Sequence, residues 1–471
     1  MKLTPLPLFL LLAGCAVGPD FEAPPPPAET ALGPQSEGPR DIQADWWKLY
    51  HSPALDRLIA DALAHNADLA AAQAALRVAQ EAAKANEGVF YPNLQGSFQA
   101  IRQKDATNSV SPTSASGVPQ LNLFTPQVSV SYSPDIWGGF RRGQESLDAQ
   151  TEAQAFQTEA TYMTLVGNLV VAAINEASLR GQVKATERIV ALMRESLDIL
   201  KHQLAVGQAA EADMLAQEAA LAQAEQSLYP LARQLDQQRH QLTALLGRMP
   251  SEAPDETFEL ADLQLPSDLP GALPSRLVEQ RPDIRMARAN LQAASAQIGV
   301  AIANRLPNLT LDAALGSTAT KIQDLFTPGN GQWSIAGTIT QPLFDGNALL
   351  HKERGARAAF EQAAAQYRST VITAFQNVAD SLNALKFDAD GLKAAQVADH
   401  AASRSLEIAQ KQYKVGQIAY LTLAAAEQAA LQARMTLVQA EASQLEDSAA
   451  LLQALGGGWW NRPPSESADR G

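Results

Sequence analysis

The chain has a single cysteine, Cys15, in 471 residues, so no disulfide can form within one copy. Charged side chains make up only 18% of it and aromatics 6%. No Lys/Arg block interrupts a net charge of −14, which argues against nucleic acid as a partner. No run reaches the ~18 to 20 apolar residues of a membrane helix. The best, Val166 to Ile174, is too short and carries Asn168. The six histidines, at 51, 65, 202, 240, 351 and 400, lack the paired spacing of a metal site. No Gly-rich phosphate loop leads into Lys-Ser/Thr. The carboxylates are spread out rather than gathered near a pocket signature. The sequence therefore offers no catalytic constellation, no metal ligands and no cofactor motif.

What it does contain is Ala, Gln and Leu in long uninterrupted stretches. From just after Gly139 no helix breaker appears until Ala205-Val206-Gly207-Gln208. That is roughly 100 Å of α-helix at ~1.5 Å per residue, longer than any compact domain needs. A second such helix runs from about Asn347 to Lys414 and ends in Lys414-Val415-Gly416-Gln417. Other landmarks recur in the same order. Asp68 to Pro92 and Asp283 to Pro307 both span 24 residues, and Leu246-Gly247 and Leu455-Gly456 both lie 40 residues beyond their Val-Gly. Asp135-Ile136-Trp137-Gly138 corresponds to Leu343-Phe344-Asp345-Gly346. The chain is read as a tandem duplication, with repeats over 45–250 and 271–458 joined by a Pro-rich linker, 251–270.

Each repeat carries two segments of strict apolar/polar alternation, expected as strands at about 94–102, 126–133, 308–317 and 332–341. Polar loops, 104–125 and 318–331, join them in pairs. Period-two alternation also fits a soluble half-buried sheet. The strands nonetheless have the ~9 to 11 residue scale of outer-membrane strands. Four strands cannot close a barrel, and an open edge is forbidden in lipid, so membrane strands here would demand oligomerisation. After the Val-Gly turns, Met214, Leu221, Leu228, Leu235 and Leu242 recur every seven residues, as do Leu431, Val438, Leu445 and Leu452. Such heptads predict coiling against a neighbour, here the long helix folding back.

The N-terminus reads as a targeting segment. Lys2, the apolar Leu6 to Leu12 and then Leu12-Ala13-Gly14-Cys15 resemble a lipoprotein signal over 1–14. Cys15 would become the acylated first residue of a Pro-rich linker, 15–44. Ala16 in the next position favours the outer membrane over inner-membrane retention. A globular start follows at Asp45-Trp46-Trp47, with Ser52-Pro53 expected to cap a helix. Residues 459–471 form a C-terminal tail.

With these landmarks the sequence resembles the outer-membrane factor family, the TolC-like exit ducts of tripartite pumps, in its lipoprotein branch. The matching stretches are the lipobox, Asp45-Trp46-Trp47 through Pro53-Ala54-Leu55, and Asn66-Ala67-Asp68-Leu69. To these are added Asp135-Ile136-Trp137-Gly138, Arg281-Pro282-Asp283-Ile284, Ile298-Gly299 through Pro307, Gln341 through Gly346, and Ala454 through Trp459. The resemblance implies a mostly α protomer with four β-strands and antiparallel coiled-coil hairpins. It implies a homotrimer whose twelve strands form one barrel, continued by a helical periplasmic tunnel. It also implies partners, a periplasmic adaptor and an inner-membrane pump, and passive export of drugs or other small toxic compounds. A duct for ATP-driven polypeptide secretion and a pore-less structural lipoprotein are the alternatives.

The resemblance assigns adaptor docking to the tips Val206, Gly207, Gln208, Val415, Gly416 and Gln417, where a plain hairpin turn needs the same glycines. Relatives often carry acidic gate residues just beyond the tips. Asp213 occupies such a position, with Glu211 nearby, although an ordinary solvated helix carboxylate is its default reading. The second repeat has Thr422 and Ala425 there and departs from the acidic pattern. Tyr413 resembles a gate-latching aromatic, and a packing role fits it as well.

Overall fold

The computed structural model describes residues 16–24, 31–32, 42–104, 120–266, 273–274 and 279–462. Its main elements are α1 (Pro53–His65), α2 (Ala67–Glu87), β1 (Asn93–Lys104), β2 (Gln120–Tyr132), α3 (Gly139–Ala205) and α4 (Glu211–Leu245). The second repeat supplies α5 (Pro282–Ala303), β3 (Asn308–Ser317), β4 (Gly331–Thr340), α6 (Ala348–Lys414) and α7 (Tyr420–Ala454). The duplication is visible in the lengths: α3 and α6 have 67 residues each, α4 and α7 have 35 each. The chain forms two compact units. One comprises 1–24, 76–154 and 287–367, the other 25–75, 155–286 and 368–471.

The first unit holds one antiparallel sheet in the order β1-β2-β3-β4. Its register sorts side chains cleanly. Leu94, Gly96, Phe98, Val128, Val130, Leu311, Ala313, Leu315, Trp333, Ile335 and Ile339 share one face. Gln95, Ser97, Ser129, Ser131, Thr310, Asp312, Ser334 and Thr338 share the other. On the apolar face Trp333, Ile335 and Ile339 are 74%, 78% and 72% exposed, so none of the described residues covers them. On the polar face Ser131 Oγ donates to Asp312 Oδ1 at 2.7 Å.

β2 begins at Gln120, six residues before the expected start, because Gln120 to Thr125 pair with Gln99 to Lys104. This ladder turns part of the expected loop 104–125 into strand. Pro126 lies inside β2, has no N–H, and coincides with a break in the β2–β3 ladder. Pairing resumes only at the Phe124–Ala319 bridge.

The same unit holds the N-terminal segment. Val17 N donates to Trp137 O at 2.9 Å. The Arg142 guanidinium, almost wholly buried, binds Val17 O, Asp20 Oδ1 (2.6 Å) and Glu145 Oε2 (2.8 Å). Gly18 lies so close to Gly299 that a Cβ there would fall 2.5 Å from Gly299 Cα.

In the second unit Trp46, Trp47, Tyr50, Leu55 and Ile59 form a buried core at the start of the first repeat. The Tyr50 hydroxyl is within 2.7 Å of Ser448 Oγ. Pro53 is the first residue of α1 as expected, but Ser52 makes no side-chain cap bond. Asn66 is the working cap: its Oδ1 accepts from Leu69 N and its Nδ2 donates to Leu245 O. One 18-residue window of α3 is apolar enough to cross a membrane by composition, a signal that the run Val166 to Ile174 understates. That window is 61% buried within the protein, which makes it core.

Candidate functional site: the hairpin tips

The hairpin tips close the same way in both repeats. At the first, Gly207 N donates to Leu204 O (3.0 Å) and Gln208 N to Gln203 O (2.8 Å). At the second, Gly416 N donates to Tyr413 O (2.9 Å) and Gln417 N to Gln412 O (2.9 Å). This paired bonding satisfies the last helical carbonyls and needs a left-handed residue. Gly207 and Gly416 supply it at φ 75° and 72°. A Cβ at either would meet nothing within 4 Å, so these glycines serve backbone conformation, not space. Val206 and Val415 are 69% and 68% exposed, and both glutamines are exposed too. Each tip thus presents an apolar and an amide side chain to solvent.

Just behind the tips the two hairpins are tied together. Tyr413 on α6 donates from its hydroxyl to Gln203 Oε1 on α3 at 2.8 Å. Lys414 Nζ lies 2.8 Å from Glu195 Oε1. Ser196 Oγ on α3 donates to Glu427 Oε1 on α7 at 2.8 Å. The Tyr420 hydroxyl on α7 donates to Gln217 Oε1 on α4, whose Nε2 donates to Met193 O. Gln217 and Glu427 are fully buried. Around them Ile189, Met193, Leu197, Leu221, Leu406 and Leu423 form one apolar cluster.

The electrostatics follow from this burial. Desolvation pushes the Glu427 carboxyl above its ordinary range, against the opposing bonds from Ser196 and Gln217. Its Oε2 is buried without a hydrogen-bond partner among the described residues. Tyr420 is pushed up to about 12 by burial and by the charges of Glu427, Tyr413 and Asp213. Tyr413 rises through burial and the charge of Asp213. The structure therefore brings Asp213 and Tyr413 into one electrostatic neighbourhood. It also sets Asp213, with Glu211, in the first turn of α4, where a carboxylate favours the helix dipole. Cys15 lies outside the described residues.

Sequence reasoning missed Ser196, Gln203, Gln217 and Glu427. One signal was available: Glu427 is the only charged residue between Tyr420 and Ala433, on a helix otherwise suited to burial.

A sheet with one apolar face and two outer strands that pair with nothing further among the described residues, in a chain that builds two long helical hairpins, defines the protomer of an outer-membrane exit duct. The chain belongs to the outer membrane efflux protein family, which it matches over residues 58–248 and again over 273–457. It is 31% identical to the pyoverdine export outer membrane protein OpmQ of Pseudomonas putida, over 98% of both chains. It is 29% identical to the antibiotic efflux pump outer membrane protein ArpC of Pseudomonas putida, over 96% of this chain and 94% of that one. Among solved structures the outer-membrane channel OprN is similar, with a TM-score of 0.86 at 26% identity, covering 94% of this chain and all of that one. The protein is an outer-membrane efflux channel, and its family is one of ducts rather than enzymes.

Proposed function

We propose that three copies of this chain form a passive exit duct for small toxic compounds, delivered by a periplasmic adaptor and a proton-driven inner-membrane pump. The observation that carries the reading is the sheet: four strands of 10 to 13 residues, one face apolar and uncovered, the other hydroxyl-rich, with β1 and β4 unpaired on their outer sides. Lipid tolerates no open strand edge, and a barrel needs ~8 strands or more. Joining β4 of one copy to β1 of the next satisfies both edges, and three copies give a twelve-stranded barrel. The polar face then lines a wet lumen of low selectivity. Relatives named for pyoverdine export and for antibiotic efflux support a small-molecule cargo.

In this reading Val206, Gly207, Gln208, Val415, Gly416 and Gln417 dock the adaptor. Asp213 and Tyr413 belong to the periplasmic gate, and parting the hairpins there must break the Tyr413–Gln203 and Ser196–Glu427 bonds. Cys15 carries the lipid anchor in the outer membrane. Reconstitution in a planar bilayer tests the duct: the purified trimer gives stable unit conductances, whereas a protein with no conductance at any voltage is a structural lipoprotein and the reading fails.

A further inference from the structure

The apolar face of the sheet is not a uniform greasy surface. Near the β3–β4 loop it opens into a recess of about 860 Å³, lined by Phe98, Val128, Leu315, Ser317, Phe326 and Pro328. That volume falls in the ~300–1,000 Å³ range of small-ligand sites. The local sequence builds it. Gly96 leaves the floor without a side chain, and Pro126 marks the break in the β2–β3 ladder opposite Ser317. The loop that forms the far wall is held by its own bonds: Thr318 N to Asn330 O at 2.9 Å, and Asn330 Nδ2 to Asp324 O at 2.6 Å. Leu325 is buried beneath it, while Phe326 is 89% exposed at the rim.

Two further observations point to what fills the recess. Ser317 is 8% exposed, and its Oγ is buried with no hydrogen-bond partner among the described residues, a cost that an acceptor in the recess would remove. At the loop end of the sheet stand two cations. Arg102 lies opposite Asn122 on β2. Lys321, in extended backbone at φ −129°, comes two residues after Ala319, which bridges to Phe124. By strand alternation Arg102 lies on the apolar face, where its Nη2 donates to Gln120 Oε1 at 3.4 Å; both cations are exposed, and neither is in an ion pair among the described residues.

We propose that this recess is a binding site for a phosphorylated, multiply acylated glycolipid of the outer leaflet, of the lipid A type. An acyl chain lies between Phe98, Leu315 and Phe326. The Ser317 hydroxyl donates to an acyl carbonyl or 3-hydroxyl oxygen, and Arg102 and Lys321 meet the phosphates. This rests on the sheet spanning the outer membrane, since only then does the recess open toward lipid. The loop end of the sheet is then the extracellular end, the level at which the phosphates of that leaflet lie.

The test uses the full-length trimer, delipidated in mild detergent and titrated with diphosphoryl lipid A, dephosphorylated lipid A or phosphatidylethanolamine. Retained lipid is counted by native mass spectrometry. Wild-type protein is expected to retain one diphosphoryl lipid A per protomer. Arg102→Ala with Lys321→Ala lowers that affinity about tenfold, toward that of the dephosphorylated form, and Ser317→Ala and Phe326→Ala weaken both glycolipids. Equal retention of phosphatidylethanolamine and lipid A, or retention unmoved by any of these variants, overturns the site. Bilayer conductance is measured on the same preparations. Variants that still conduct are folded, so a lost lipid with intact conductance is read at the site. Wild-type protein that binds lipid but never conducts counts against the duct and not against the site.

Discussion

The two longest helices came from one ancestral sequence and have the same length, yet they live in different surroundings. In the second unit α3 is core: Leu165, Val166, Leu169, Val170, Ala172, Ala173, Ile174 and Ala177 are all buried. Over its part of the same unit α6 buries only Val371, Ala374, Val378, Ala395, Leu406, Ala409 and Tyr413. It leaves Ile372, Phe387 and Val397 more than 60% exposed, at 62%, 69% and 71%. These apolar side chains are available for contact with another surface. Duplication supplied two equivalent rods. One became the interior of the protomer, and the other kept an apolar face that we assign to the neighbouring copy in the ring.

The sharpest way to break this contrast is to place the same charge on each helix. Leu169→Asp or Ile174→Asp buries a carboxylate without a partner, costs several kcal/mol, and leaves no folded protomer by circular dichroism and protease resistance. Phe387→Asp with Val397→Asp is expected to keep the helical content and lose the trimer, read as mass by light scattering. A double variant that stays trimeric removes the assignment of the α6 face.

The tips give a second, smaller effect, expected to be equal in the two repeats. Gly207→Val and Gly416→Val each force a β-branched residue to positive φ, costing about 1–2 kcal/mol or more, with no clash to add to it. Asn at the same positions should recover most of the loss, because it tolerates the left-handed region. Thermal melts of the four variants decide this. Valine as stable as asparagine would mean that the turns relax and the glycines are dispensable.

The tie behind the tips adds a pH dependence. Glu427 has a folded-state pKa above its ordinary 4.5, mainly through burial. The neutral carboxyl's contribution is therefore fully present below about pH 4.5 and is lost as the pH rises through the folded value. Asp447, also on α7, is raised to about 6, by burial first and then by its hydrogen bond with Asp388, and acts in the same direction. Glu427→Gln should stabilise the protein at pH 8 by about 1–3 kcal/mol relative to wild type, with the difference vanishing near pH 4. A gap of the same size at both pH values would show that Glu427 does not titrate between them. Smallest of all, Tyr413→Phe removes one hydrogen bond worth ~0.5–1.5 kcal/mol, whereas Lys414→Ala, in an exposed pair with Glu195, should fall below ~1 kcal/mol.

Much of this architecture was legible in the sequence because it is periodic. The repeat showed in spacings around Asp68, Pro92, Gly207 and Gly247, and the strands showed in alternation around Leu94, Val128, Leu309 and Ile335. The tips showed as Val-Gly pairs, because a left-handed turn leaves few residue choices. What was not legible depends on partners far along the chain. Nothing near Gln217 says that it is buried, and the lone charge of Glu427 on an apolar stretch is the one hint on the other side, since the burial follows from four helices meeting. Arg142 gives no hint that it grips Asp20. The early start of β2 at Gln120 was hidden because polar Gln120 and Asn122 read as loop until Lys104 and Arg102 are seen to pair with them.

The most direct test of the proposed duct is in-cell photo-cross-linking from Gln208 and Gln417, with mass spectrometry of whatever is trapped. The prediction is one periplasmic adaptor of a proton-driven pump, captured from both tips. Capture of an adaptor from an ATP-driven secretion system would keep the fold and overturn the cargo. Good expression with no periplasmic partner at either tip would contradict the docking role of the two Val-Gly-Gln turns.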